Sequence, residues 1–366
     1  MDAVAFLEEL LAIPSPTGEE AAFARHLVQR MQELGFQAWR DEAGNAVGVV
    51  GAPQAQRRIV LLGHMDTVPG QVPVRLEDGR LYGRGAVDAK GPLAAFVLAA
   101  AQVAPRLADV QIMVIGAVEE EGCGKGAHHV KQTIPAPDCA IIGEPSGWQG
   151  ITLGYKGMLN LDFVLVQPGG HSAGEFPGPA EKAVAFWNRV RAYAEEHNQG
   201  RSGHFDTLDP ALRHLRTFSS GLDDGVEMNI VLRLPPETDI EELKERLSSW
   251  RNGNGAAGHA VAHPDERSAV LTIVGSDPAY RADKNTPPVR ALLRAIRAQG
   301  GTPSFKLKTG TSDMNVVGPV WGCPLAAYGP GDSSLDHTPQ EHVEIEEFER
   351  AIAVLTHALG TLAQRP

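Results

Sequence analysis

Three short, unbroken apolar runs constrain this chain more than anything else in it: Ile59-Val60-Leu61-Leu62-Gly63, Ile112-Met113-Val114-Ile115-Gly116-Ala117-Val118 and Cys139-Ala140-Ile141-Ile142-Gly143. None has the polar interruptions of a surface helix or the alternation of a half-wet strand. Spaced by a helix-like stretch at 90–104, they read as strands buried on both faces, the pattern of an α/β sheet with helices around it. Past Leu153 the texture changes. Residues 159–166 alternate, as does part of 269–274, which suits strands with one wet face. Helical spacing near 179–197 and 238–250 lies between them. The order strand-helix-strand-strand-helix-strand predicts a small α+β domain set into the chain. Helices at 287–299 and near 345–363 return it to the first domain, giving expected boundaries of 1–153 with 278–366, and 154–277 for the insert. Residues 1–37 predict two amphipathic helices broken at Ile13-Pro14-Ser15-Pro16-Thr17-Gly18. Thr17 and Glu20 would form a capping box for the second, which runs to about Leu34 and stops at Gly35.

Composition enters mainly by exclusion. With 33 basic and 45 acidic residues, the 366-residue chain carries a formal charge of −12. That argues against broad binding to nucleic acid or anionic membranes, since both need clustered Lys and Arg. At 43% hydrophobic and 21% charged residues the chain can bury a core. Cys123, Cys139 and Cys323 are odd in number and far apart, so neither a disulfide framework nor a thiolate zinc site is expected. Acids interrupt the first ten residues and no 18 apolar residues run together, so there is no signal peptide or membrane span to expect, and the cytoplasm is the default location. The absence of a Gly-x-x-x-x-Gly-Lys-Ser/Thr or Gly-x-Gly-x-x-Gly string speaks against nucleotide binding. No Gly-x-Ser-x-Gly elbow supports a serine nucleophile.

The chemistry sits where the buried runs end. Ligands bind at the carboxyl ends of strands in open α/β sheets, so three polar clusters there point to one common site. His64 and Asp66, two apart on an extended segment, project to the same side. That suits a metal-bound imidazole whose other nitrogen is held by a carboxylate, and equally a solvated strand end. Glu119-Glu120-Glu121 would repel one another at a buried strand end unless a cation compensated them. The other reading is an acidic loop leaving through Gly122-Cys123-Gly124-Lys125-Gly126. Asp88, in Gly83-Arg84-Gly85-Ala86-Val87-Asp88, could bridge two ions or cap the helix behind it. Glu144 before Pro145, and His337 in Asp336-His337-Thr338-Pro339, read alone either as ligands or as ordinary loop residues.

In this order, His64, Asp88, Glu120-Glu121, Glu144 and His337, with Gly170-His171-Ser172 and Gly310-Thr311-Ser312-Asp313, resemble the M20-type metallopeptidase and deacylase family. That family contains carboxypeptidase G2, acetylornithine deacetylase and succinyl-diaminopimelate desuccinylase, and the resemblance covers nearly the whole chain. It implies an α/β catalytic domain with a mixed, mostly parallel sheet flanked by helices, and an inserted ferredoxin-like α+β domain through which the chain forms a homodimer. It also implies two divalent metal ions per subunit, zinc first and cobalt next. His64, Glu144 and Asp88 would surround one ion, and His337, Glu121 and the same Asp88 the other. Asp66 would orient His64, and Glu120 would be the general base. The family's Asp-Glu-Glu is Glu119-Glu120-Glu121 here, with base and ligand at 120 and 121 because four residues then precede Gly126-Ala127. His171 of the partner subunit would supply the oxyanion donor, and Asn229, Gly310, Thr311 and Ser312 would hold a substrate carboxylate. The peptide after Asp88 would be cis.

Within the family, Tyr82-Gly83-Arg84-Gly85-Ala86-Val87-Asp88-Ala89-Lys90-Gly91-Pro92, Gly143-Glu144-Pro145-Ser146-Gly147-Trp148 and Gly150-Ile151-Thr152-Leu153-Gly154-Tyr155-Lys156-Gly157 most resemble one biosynthetic branch. What this implies is release of lysine, with ornithine as a second product, from the C-terminal γ-carboxyl of a small acidic amino-group carrier protein, in lysine and arginine biosynthesis. A small-molecule N-acyl amino acid deacylase, of acetylornithine or succinyl-diaminopimelate type, or a dipeptidase, competes within the same chemistry. A metal-dependent binding protein without catalysis competes from outside it, against the presence of all five ligands and Glu120. An acidic carrier and a chain of charge −12 repel at long range, so a local basic rim is expected, with Arg84, Lys90, Lys125 and Lys156 as its candidates.

Overall fold

The computed structural model describes residues 2–52, 54–171, 177–251 and 267–364. The chain divides into two compact units, Met1–Gly154 with Arg281–Lys308 and Ser312–Pro366, and Tyr155–Tyr280 with Thr309–Thr311.

The first unit opens with α1 (Ala3–Leu11), whose N-terminal amides at Val4 and Ala5 are capped by the Asp2 carboxylate, and α2 (Ala21–Glu33). The capping box expected for α2 does not form. The Thr17 hydroxyl donates to Asp66 (2.9 Å), and Glu20 accepts from the amides of Gly18 (2.9 Å) and Glu119 (3.1 Å). Partners elsewhere in the fold, one of them a fully buried carboxylate, outweigh a cap at the helix start. Gly35, with φ 88°, ends the helix as its sequence suggests. Then follow β1 (Gln37–Arg40), β2 (Ala46–Gly51), β3 (Arg57–His64), β4 (Arg75–Glu77), β5 (Arg80–Tyr82), α3 (Lys90–Val103), β6 (Val110–Ala117), α4 (Lys125–Thr133), β7 (Cys139–Gly143) and β8 (Gly150–Tyr155). The second unit contributes β9 (Gly157–Pro168), α5 (Pro179–His197), β10 (Asp209–Ser219), β11 (Asp223–Leu234), α6 (Ile240–Trp250) and β12 (Val270–Asp277). The chain closes with β13 (Tyr280–Arg281), α7 (Pro287–Ala298), β14 (Ser304–Lys308), α8 (Asp313–Trp321), β15 (Leu325–Ala327), β16 (His342–Glu344) and α9 (Ile345–Ala363).

The main sheet runs β1-β2-β6-β3-β7-β15-β8-β13, with β14 also on β8. β6, β3, β7 and β15 are parallel; β1 to β2, β2 to β6 and β15 to β8 are antiparallel. The three apolar runs of the sequence are β3, β6 and β7, and their residues are buried in nearly unbroken succession. Because successive side chains point to opposite faces, this requires cover on both sides. α3 supplies part of it: Lys90 to Ala100 are all buried, and the helix packs on α1, α9, β3, β6 and β7. A fully buried Phe or Leu such as Phe96 or Leu93 contributes about 1.5–3 kcal/mol. Register then builds the site. His64 pairs with Ala117, and Gly63 with both Gly116 and Gly143, so β3, β6 and β7 end level and the residues after them share one edge. A separate small sheet, β16-β5-β4, lies in the same unit.

In the second unit the antiparallel sheet runs β10-β11-β9-β12, in the strand-helix-strand-strand-helix-strand order read from the sequence. Leu159, Leu161, Phe163 and Leu165 of β9 and Met228, Ile230 and Leu232 of β11 bury together with Phe186, Val190, Leu243 and Leu247 of α5 and α6. The residues between them, Asn160, Asp162, Asn229 and Arg233, face the other way. Among the described residues no helix is long and apolar enough to cross a membrane.

Candidate active site

The end of β3 delivers His64 and Asp66 into the interior, where their side chains are 1% and 0% exposed. His64 Nδ1 donates to the main-chain carbonyl of Asp66 (3.0 Å) and lies 3.5 Å from its Oδ1. A carbonyl only accepts, so Nδ1 carries the proton and Nε2 is left facing Asp88 Oδ1 at 3.1 Å. The Asp66 carboxylate also accepts the amides of Glu120 and Glu121, each at 3.0 Å, and the Thr17 hydroxyl. One buried group thus orients His64 and fixes the main chain that follows β6. Glu119, in a left-handed conformation (φ 58°), starts that segment, and its amide is held by Glu20. Gly126 lets α4 begin close beneath: a Cβ there would sit 2.5 Å from the amide nitrogen of Val118.

Asp88 leaves the loop before α3, and the Asp88–Ala89 peptide is cis. Its second oxygen, Oδ2, is 3.2 Å from Nε2 of His337, which in turn is 2.7 Å from Glu121 Oε1. Ligand atoms of Asp88, Glu121 and His337 all lie within 4.8 Å of one another. Glu144 follows β7 on the same edge and is 7% exposed. Asp88 therefore stands between His64 on one side and His337 with Glu121 on the other.

This arrangement is electrostatically strained without a cation. Burial drives Glu120 and Glu144 well above the usual carboxylate range, and neighbouring carboxylates add to it: Glu144 and Asp313 for Glu120, Asp88 and Asp313 for Glu144. Glu121 is raised by burial and by Asp88. His337 is raised to about 9, chiefly by its hydrogen bond to Asp88 and by Glu121. Burial alone would lower His64, but hydrogen bonds to Asp66 and Asp88 more than reverse it. Burial opposes ionisation of Asp88 too, yet the two histidines hold its carboxyl well below the usual range. A neutral His64 would set its Nε2 lone pair against a carboxylate. The cluster needs positive charge between its members, and a donor set of imidazoles and carboxylates fits divalent zinc or a similar ion.

The other expected site residues have local partners within their own units. Ser312 caps α8: its hydroxyl accepts from the amide of Met314 (3.2 Å), and its own amide donates to Asn315. Asn229 is tied across strands, donating to Asn160 and Asp162, both at 2.8 Å. Thr311 meets Arg233 of β11 at 3.2 Å, and Gly310 precedes it in the same short segment of the second unit. His171 is exposed after the end of β9, and Ser172 lies outside the described residues. Two members of the expected basic rim are instead interior and a third, Arg84, is partly buried. Lys90 is 1% exposed, donates to the Ile13 carbonyl (2.6 Å) and lies over the Phe23 ring, and burial lowers it to about 7. Lys156 is 0% exposed and bonded to Thr207 and to the His204 carbonyl. Arg84 pairs with buried Glu341. Of the four, only Lys125 is exposed, 3.4 Å from Glu119. Their sequence neighbours are glycines, which say nothing of burial. The sequence assigned no role to Asp313, Asp336 or Glu341 and read Glu20 as a helix cap; the partners of Glu20 and Glu341 are remote in the chain. Asp336 is pushed up to about 8 by burial and by Asp88.

Buried parallel strands, an inserted α+β unit and a strand-end cluster of histidines and carboxylates define a metallohydrolase-like centre. The sequence pattern of peptidase family M20/M25/M40 matches residues 60–361, and the chain belongs to that family. Among its relatives is a LysW-lysine hydrolase from Deinococcus radiodurans, 44% identical over 97% of this chain and 96% of its own. An M20 family metallo-carboxypeptidase from Sulfolobus solfataricus shares the fold at TM-score 0.79 with 19% identity, covering 99% of this chain and 100% of that one. A Bacillus subtilis structure, a dinuclear metal-binding M20 peptidase, matches at TM-score 0.71 with 14% identity, covering 99% and 96%.

Proposed function

We propose that the chain is a metal-dependent amide hydrolase that releases lysine from the C-terminal γ-glutamyl group of an amino-group carrier protein of the LysW kind. The chemistry rests on one observation, the convergence of Asp88, Glu121 and His337 beside His64, Glu120 and Glu144. The substrate is argued from the relative that shares 44% of its sequence over nearly the full length. His64 and Glu144 would hold one ion, His337 and Glu121 a second, and Asp88 both. Zinc suits this set first and cobalt next. Such ions supply Lewis acidity, polarising an amide carbonyl and acidifying water.

The protein's own groups do the rest. Glu120 takes a proton from the attacking water and returns it to the leaving amine, the role of a buried carboxylate placed next to the Glu121 ligand and held there through its main-chain amide by Asp66. Asp66 keeps His64 in one tautomer and holds the Glu120 and Glu121 main chain at a fixed distance from it. The chain acts as a homodimer in the cytoplasm, with His171 of the partner subunit donating to the developing oxyanion. Thr311, Gly310, Ser312 and Asn229 are the candidates for the substrate carboxylate. Ornithine, one methylene shorter than lysine, is the second product, since a methylene is worth only ~1–3 kcal/mol of discrimination. Turnover of carrier-linked lysine by the purified enzyme should exceed that of acetylornithine and succinyl-diaminopimelate; faster turnover of either small substrate would sink the carrier reading.

A further inference from the structure

Glu341 lies four residues beyond His337 and is completely buried. It immediately precedes β16, whose pairing of His342 with Tyr82 brings it beside the loop that carries Asp88. Its Oε1 accepts three main-chain amides of that loop, from Gly85 and Val87 at 3.0 Å and from Asp88 itself at 3.1 Å. Its Oε2 accepts from Arg84 at 2.6 Å, and its own carbonyl accepts the amide of Gly83 at 3.3 Å. Convergence of three amides on one oxygen folds 85–88 into a tight nest. Gly85 permits this with φ 89°, where a Cβ would press at 3.0 Å on the Lys90 stem and the Thr67 methyl. Such a nest is a strong and geometrically specific tie, because each buried amide left without an acceptor would be costly.

We propose that Glu341 is a positioning residue that sets Asp88 between His64 and His337, and so fixes the spacing of the two halves of the metal centre. It touches no ligand atom and acts only through the main chain of Gly85, Val87 and Asp88. Asp88 and His337 are 249 positions apart, yet Glu341 ties the loop of one to the segment that follows the other. The inference rests on the metal-centre reading above.

Zinc affinity of the metal-free protein, measured by competition with a chromophoric chelator, and the visible spectrum of the cobalt-loaded form test it without any amide substrate. Glu341→Ala should weaken zinc binding at least tenfold and alter the cobalt spectrum, with native far-ultraviolet circular dichroism. Glu341→Asp, whose shorter side chain cannot reach all three amides, should do the same. Glu341→Gln keeps an oxygen at the nest and should stay within about threefold of the wild type. Wild-type zinc affinity in folded Glu341→Ala, or a Glu341→Gln as weak as the alanine variant, would overturn the proposal. If neither Glu341→Ala nor Glu341→Asp folds, the residue serves the fold and not the site, which also overturns it. A wild-type protein that binds no zinc would instead sink the metal-centre reading itself.

Discussion

At the ends of β3, β6 and β7, polar side chains are buried and held by remote parts of the chain: Asp66 by the Glu120 and Glu121 amides, Glu20 by that of Glu119, Glu341 by the loop before α3. On the sheet of the second unit, the polar residues of β9 and β11 are tied to one another across neighbouring strands, as Asn229 is to Asp162, and His171 is exposed. Both sheets carry candidate site residues, but only the first spends buried charge on them. Uncompensated buried carboxylates are expensive, so their accumulation is what supports the proposed metal centre, whereas a cross-strand amide network is what an ordinary wet sheet face makes.

Separating the chemical step from metal binding gives the largest expected effect. Glu120→Gln should lower kcat by ~10²–10⁴ while metal stoichiometry, measured on the same preparation, stays that of the wild type. Metal loss with retained activity would reverse the assignment of 120 and 121. His171→Ala should cost ~10²–10³ in kcat, again with metal content intact; if metal fell with activity, the division between the two regions would be wrong.

A smaller effect concerns the metal-free protein. Glu120, Glu121, Glu144 and His337 are all raised in the folded state, His337 to about 9. A group raised on folding contributes stability that is complete below its unfolded value and is lost as pH climbs through its folded value. Asp88, held low, works the opposite way but only in the acid range, and buried Lys90, lowered to about 7, offsets one group's share of the trend above that. Melting temperature of the metal-free protein should therefore fall from about pH 6 to about pH 9. Added zinc should flatten or invert that slope, because its ligands bind deprotonated. A metal-free profile that rises over this range would contradict the picture of an uncompensated acidic cluster. The smallest change is local: Thr17→Val removes one donor to Asp66 and should cost ~0.5–1.5 kcal/mol in denaturant unfolding.

Much of the first region was legible in the linear sequence. The apolar runs named β3, β6 and β7, and the polar residues just after each pointed to His64, Glu120-Glu121 and Glu144, because burial on both faces leaves a local signature. The alternation in β9 and the spacing of α5 and α6 announced the inserted unit in the same way. The β1–β2 and β4–β5 pairs, α4 and α8 were missed, being short and rich in glycine or polar residues. Thr17 and Glu20 were misread because their spacing matched a helix cap, while their partners, Asp66 and Glu119, lie 49 and 99 positions away.

The sequence by itself determined that buried strands end in histidine and carboxylates, since periodicity and composition belong to one segment at a time. Only the tertiary structure decided that Asp88 stands between two histidines, that Lys90 and Lys156 are interior, and that Glu341 closes on the loop of Asp88. Those are facts of register and burial, which exist only once several segments occupy the same volume.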